Sequence, residues 1–355
     1  MSSLRLGTVC TVLVLAGAAF GAEAPGAAVW VGVAKVDITP ELPIRLAGYQ
    51  SRAAEAGRVT TRLYARALAL GAADQEPVVL IAAELIGIGE ETSEVVARAL
   101  RERFGLDRAR VAVCATHVHT GPALADVLPY MFSMDLPADE TGRTARYTAK
   151  LRGQLIAVAA AALADRKPAR LAWGEGQVDF ATQRRTIVDG KWKGFGLVPE
   201  GPVDPALPVL RVTDEHGAVR AVFLSYACHC TTLGGADNFV HSDWAGDAAV
   251  RIEEANAGAL ALVAIGCGAD ANPGLPRGLP GVGVHGVNRE CEGARERAVM
   301  VWWPRMEGRA RDRQTRTAAP TSVPPLSLTW SLVSSRSSLA LEAVLLWAGW
   351  VDSAC

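Results

Sequence analysis

The chain has 355 residues, of which 50% are hydrophobic and 21% charged, the range of a globular protein large enough for one big domain or two ordinary ones. Its formal net charge is −1 and its Lys and Arg residues are scattered, so nothing in the charge pattern supports nucleic-acid binding. Seven cysteines are too few for a disulfide framework; Cys114, Cys228, Cys230 and Cys267 lie in or beside apolar runs and read as buried free thiols.

Residues 1–5 are short and basic, residues 6–20 are apolar, and small residues follow, with Ala19-Phe20-Gly21 and Ala22-Glu23-Ala24 as cleavage triplets. This is the layout of a secretory signal peptide over residues 1–24, so the sequence predicts a secreted or periplasmic protein. The apolar run falls short of the ~20 residues a spanning helix needs.

In chain order, residues 29–40, 64–71 and 78–85 read as strands. Residues 90–104 form an amphipathic helix with acids in its first turn and Gly105 as its stop. Residues 111–115 are a further strand, which makes strand, helix, strand a right-handed crossover between parallel strands. Residues 126–144 read as a loop and 145–166 as an Ala-rich helix ending before Pro168. Residues 170–174 and 187–192 read as strands, the second broken at Asp189-Gly190. Residues 209–213 and 218–226 form a hairpin, with His216 solvated in its turn. Ser242 is the expected N-cap of a helix over 243–256, and 259–265 is another buried strand. The expected fold is α/β: a mixed, largely parallel β-sheet core flanked by helices, with β-hairpins, over residues 25–275. Residues 276–355 are Gly/Pro-rich, then Thr/Pro/Ser-rich, and read as an irregular tail, frame-shifted or disordered.

Residues 111–122, V-A-V-C-A-T-H-V-H-T-G-P, organise the rest. In extended backbone the imidazoles of His117 and His119 would face one side, which suits metal ligation, or one ligand beside one acid/base histidine. Two other apolar strands also end in polar residues, His229 after one and Asp270 and Asn272 after the other. Ligands bind outside the carboxyl ends of strands in open α/β sheets. Four of the six histidines, His117, His119, His229 and His241, lie in two such loops, which marks a catalytic or metal site. Cys228-His229-Cys230 has a rival reading as a thiolate knuckle, but three successive residues of a regular strand cannot all face one ion.

These residues resemble the N-terminal catalytic domain of the neutral/alkaline, non-lysosomal ceramidase family. The matching pieces are V-G-V-A-K-V-D-I-T-P at 31–40, A-T-H-V-H-T-G-P at 115–122, Q-R-R at 183–185 and G-P-V-D-P at 201–205, followed by Y-A-C-H-C-T-T-L-G at 226–234, S-D-W-A-G at 242–246 and G-A-D-A-N-P at 268–273. Together they cover residues 29–275 in family order. The resemblance implies a Zn2+-dependent amidase that splits ceramide, a lipid-like small-molecule substrate, with transient membrane-surface contact. It also implies His117 and His229 as zinc ligands, His119 beside them toward the substrate, and Arg184 supporting catalysis. Asp270 and Asn272 fall where the family carries Asp-x-Ser-Pro, with Asn272 in the place of the serine. The family's remaining ligands, a Glu and a Tyr, lie downstream and are assigned to no residue here. Asp243 and His241 are candidates to complete the metal shell, against helix capping and loop packing, and Glu84 is a further one. Two alternatives stand beside this reading. One is a metal hydrolase acting on a different amide or ester; the other is an exported homologue with an impaired site and a structural or binding role.

Overall fold

The computed structural model describes residues 29–274 and the strand Thr329–Leu332; the expected leader and the rest of the expected tail lie outside the described residues. The strands are β1 (Val29–Asp37), β2 (Tyr64–Gly71), β3 (Val78–Ala83), β4 (Val111–Ala115), β5 (Lys167–Gln177), β6 (Ala181–Val188), β7 (Lys191–Val198), β8 (Ala206–Thr213), β9 (Val219–Tyr226), β10 (Leu260–Ile265), β11 (Ala271–Pro273) and β12 (Thr329–Leu332). The helices are α1 (Glu90–Phe104), α2 (Ala138–Ala164) and α3 (Asp243–Ala255).

The main sheet runs β10-β9-β8-β5-β1-β2-β3-β4, with β12 paired to β5. It is mixed, as expected, but not largely parallel: of the strands just named, only β3–β4 and β9–β10 pair in parallel. The reason lies in the connections. Parallel neighbours need a crossover, and only α1 and α3 supply one; β2–β3 and β8–β9 are joined by tight turns and must be antiparallel.

β5 turns the corner of the sheet. Its first three residues pair with β1 and its remainder with β8, so the path bends there and its two halves pack face to face. Period-2 alternation divides each strand between two cores. On β2, Ala65, Ala67 and Ala69 face α1 and α2, while Leu68 and Leu70 face the other half-sheet with Phe223 and Leu262. A third core lies between β8–β10 and α3. The layers are therefore helix, sheet, sheet, helix.

Arg66 shares the face of Leu68 on β2, yet it is charged and 2% exposed. It is held by Glu84 (2.5 Å) and Glu253 (2.7 Å), which joins β2 and the end of β3 to α3.

Several expectations shift. α2 begins at Ala138, not 145, because Pro137 leads into Asp139 and Glu140, acids suited to a first turn, and Glu140 is fixed by Arg45 (2.5 Å). The broken strand expected over 187–192 is a hairpin, β6–β7, with Asp189 and Gly190 both at positive φ (50° and 70°) as a type I′ turn demands. Ser242 does not cap α3 with its side chain; its hydroxyl meets that of Thr61 (3.1 Å). Cys267 is exposed rather than buried. Among the described residues no helix is long and apolar enough to cross a membrane.

Candidate metal centre

β4 ends the sheet path on one side and β9 lies next to last on the other. Because the halves fold together, their C-terminal ends meet. The chain after β4 and the chain after β9 form a short parallel bridge at Val118 and Cys230, and the His119 amide donates to the Cys230 carbonyl (3.4 Å). A second tie runs from the Val118 amide to the carbonyl of Leu85, just past β3 (3.1 Å).

His117 and His119 do converge, with ring centroids 5.0 Å apart, but not through the pleat of a strand. β4 has ended at Ala115, and His117 takes a left-handed φ of 56°. For a non-glycine residue this costs on the order of 1–3 kcal/mol, the kind of strain that persists where the surroundings hold a functional residue in place.

The Nε2 atoms of His117 and His229 face each other at 3.2 Å. Each ring is fixed from behind: Nδ1 of His117 meets the Ile86 carbonyl (2.7 Å), and Nδ1 of His229 meets the Gly268 carbonyl (2.9 Å). A carbonyl can only accept, so each Nδ1 carries the proton and each Nε2 presents a lone pair to the centre. His119 completes the group, and the ligand atoms of the three rings all lie within 4.8 Å of one another. Both its ring nitrogens are buried, and neither has a hydrogen-bond partner of ordinary geometry.

Electrostatics keeps the rings neutral. Burial, then the neighbouring His117, His229 and Arg52, push His119 down to about 2. Burial pushes His229 down to about 4 and lowers His117, with Arg184 adding to both. Neutral imidazoles with inward lone pairs and an unpartnered buried neighbour are what a nitrogen-preferring divalent cation requires. The residues present fit such an ion.

The loop that carries Asp270 and Asn272 lies under His229. β11 pairs with β6, and the His229 amide donates to the Ala271 carbonyl (2.8 Å). A Cβ on Gly268 would stand 2.5 Å from the Cys228 amide nitrogen, so only glycine lets this loop press close. Arg184 spans from this loop toward the centre: Nε donates to the Ala269 carbonyl (2.8 Å) and Nη1 to Asn272 Oδ1 (3.3 Å), which also accepts from the Thr231 hydroxyl (3.2 Å). Asp270 points to the surface and pairs with Arg185.

Asp243 and His241 stand outside the three-histidine group. Asp243 is 1% exposed, and its carboxylate accepts from Thr232 (hydroxyl, 2.6 Å), Leu233 (amide, 3.0 Å) and Trp244 (amide, 2.7 Å). It holds the loop after His229, which explains its burial without a metal. Nδ1 of His241 accepts from the Asp243 amide (2.8 Å). Glu84 is spent on Arg66 and on the Tyr64 amide (2.8 Å). Cys228 and Cys230 lie in the core under α3, where burial pushes their thiols up, and neither belongs to the group that His229 forms with His117 and His119, so the geometry gives the Cys-His-Cys knuckle no support.

Three supports were not legible as site residues. Gly48, at φ 95°, leaves no room for a Cβ, which would sit 2.5 Å from Cγ of His119. Tyr49 sets its ring edge against His119 (5.0 Å). Arg52, buried, donates to the carbonyls of Ala47 (2.5 Å) and His119 (2.6 Å) and thereby fixes the backbone of the third histidine. The glycine at 48 was the one local signal.

Fold and site together define an α/β protein with a candidate metal centre of three neutral histidines. The chain belongs to the neutral/alkaline non-lysosomal ceramidase family, whose N-terminal model matches residues 30–267. A neutral ceramidase from Pseudomonas aeruginosa is 25% identical over 227 residues, which is 62% of this chain and 33% of that protein. The crystal structure of neutral ceramidase from Pseudomonas aeruginosa has the same fold, with a TM-score of 0.60 at 22% identity over 76% of this chain and 43% of its own. A ceramidase complexed with C2 is similar at a TM-score of 0.61, 22% identity, and 77% and 43% coverage. The chain thus spans a third to under half of the relatives it matches.

Proposed function

We propose that this chain is an exported zinc-dependent hydrolase that cleaves the amide bond of an N-acylsphingosine-like lipid. The observation that carries the reading is the meeting of His117, His119 and His229, with ligand atoms within 4.8 Å, inside a domain of the ceramidase family. His117 and His229, with opposed Nε2 atoms and carbonyl-fixed tautomers, hold the ion. When bound, zinc supplies Lewis acidity to an amide carbonyl and makes water a nucleophile near neutral pH. His119, uncharged and with no hydrogen bond of ordinary geometry at either ring nitrogen, is placed to exchange a hydrogen bond or a proton with substrate. Arg184 brings a fixed cation toward the developing oxyanion, with Asn272 and the loop of Asp270 setting its direction.

The test uses the full chain. It should contain about one equivalent of zinc and hydrolyse a short-chain N-acylsphingosine. A chelator should remove both the zinc and the activity, zinc should restore the activity, and Arg184→Ala should lower kcat without releasing the metal. Metal-free protein with hydrolysis indifferent to the chelator would overturn the reading. Retained zinc, no amide cleavage and turnover of an ester would move the substrate class and keep the metal centre.

A further inference from the structure

Large apolar side chains exposed to solvent are not spread evenly over this molecule. Of the twelve found among the described residues, eight fall in two short segments. Three of these, Leu128, Tyr130 and Met134, lie in the loop ahead of α2; the other five lie on the β6–β7 hairpin, where Ile187, Trp192 and Phe195 are 55–63% exposed. Scattered apolar residues need no explanation, but five on one short hairpin and three in one short loop do.

Both segments are rooted at the metal centre. Met131, inside the first loop, accepts the Gly48 amide through its sulfur (3.1 Å), and Gly48 presses on His119. On the hairpin, Trp192 and Phe195 stack edge to face (5.7 Å), and Phe195 lies under the Arg184 guanidinium (4.5 Å). Arg184 in turn holds Asn272, whose neighbour Ala271 accepts the His229 amide. A chain of contacts therefore leads from the hairpin's aromatic residues, through Arg184 and Asn272, to the site.

The character of the hairpin selects the occupant. Trp192 is flanked by Lys191 and Lys193, with Asp189 as the acid at the turn. Aromatic and aliphatic side chains beside lysines suit the interface of a bilayer, where rings sit at headgroup depth and ammonium groups meet anionic lipids. A peptide adding as a strand is poorly served. β7 is the open edge of its three-stranded sheet among the described residues, but lysines line that edge and Gly194 breaks its regularity at φ 130°.

We propose that the exposed face of the β6–β7 hairpin, with the loop ahead of α2, docks this protein on a lipid bilayer containing anionic headgroups and so brings a lipid to the metal centre. The purpose of the docking rests on the lipid-amide reading above; the docking itself is tested without it.

The experiment is co-sedimentation of the full chain with phosphatidylcholine vesicles, with and without phosphatidylglycerol, alongside hydrolysis of a soluble short-chain amide. Wild type should bind, more tightly with phosphatidylglycerol, and bromine-labelled lipid should quench a fluorescence component that Trp192→Phe removes. Ile187→Ala with Trp192→Ala should weaken binding at least about tenfold, leaving thermal unfolding and soluble hydrolysis as in wild type. Lys191→Glu with Lys193→Glu should abolish the preference for phosphatidylglycerol. Vesicle binding that is absent in wild type, or equal in the Ile187→Ala and Trp192→Ala protein, would overturn the proposal. So would a wild-type dimer that this variant dissolves without any loss of lipid binding, which would make the face a contact between copies. If the amide is not hydrolysed but vesicle binding still depends on Trp192, the docking surface stands and the substrate reading falls.

Discussion

His229→Ala is expected to release the metal and reduce hydrolysis by far more than the ~10–100-fold that loss of a supporting partner costs a metal site. Its Nε2 faces that of His117 at 3.2 Å, and its Nδ1 is pinned to Gly268. Among the described residues no neighbouring donor is placed to replace it, because Asp243 is held by four donors, the Thr232 amide and hydroxyl and the Leu233 and Trp244 amides, and Cys228 and Cys230 are buried thiols. The fold should survive: the ring sits in a loop beyond β9, outside the three apolar cores. Metal analysis, activity and circular dichroism on the same preparation check this. Retained stoichiometric zinc, or a loss of activity explained by unfolding, would contradict it.

The second large effect falls on stability. Arg66→Ala should destabilise the protein by about 3–5 kcal/mol, since it strands Glu84 in the interior between the half-sheets without its counter-charge. Glu253 would keep Lys35 (2.7 Å), so Glu84 bears most of the cost. The double substitution Arg66→Met with Glu84→Gln should recover much of the loss, because removing both charges costs less than leaving one. Urea unfolding of the three proteins measures the difference. Equal losses in the single and double variants would show that packing, not charge, sets the effect. The pair also bears on the site, because Glu84 precedes Leu85 and Ile86, whose carbonyls brace Val118 and His117.

Much of this arrangement was legible in the sequence wherever the signal was local. The helix over Glu90–Phe104 and the strands Tyr64–Gly71 and Val111–Ala115 fall where hydrophobic periodicity and terminal residues put them. The histidine loops were legible as the ends of apolar runs. What was not legible depends on distant chain. β5 divides its pairing between β1 and β8, and nothing in Lys167–Gln177 announces that corner. Without the corner the sheet looks open and parallel, and nothing local shows how the ends of β4 and β9 come together. His117 and His119 converge for a reason the i, i+2 rule does not contain, a left-handed residue set by the Ile86 and Leu85 carbonyls. Asp243 shows the converse. An acid at a helix start beside histidines could be a ligand or a brace, and the bracing contacts come from Thr232, Leu233 and Trp244, two of them ten and eleven residues away, which its own stretch of sequence does not announce.

X-ray absorption at the zinc edge of the zinc-loaded chain tests the metal centre most directly. The account predicts a shell of nitrogen and oxygen atoms only, at ~2.0–2.1 Å, with the outer-shell scattering of imidazole rings diminished in His117→Ala. A sulfur shell at ~2.3 Å, or a spectrum without imidazole scattering, would place the ion on other residues and contradict the account.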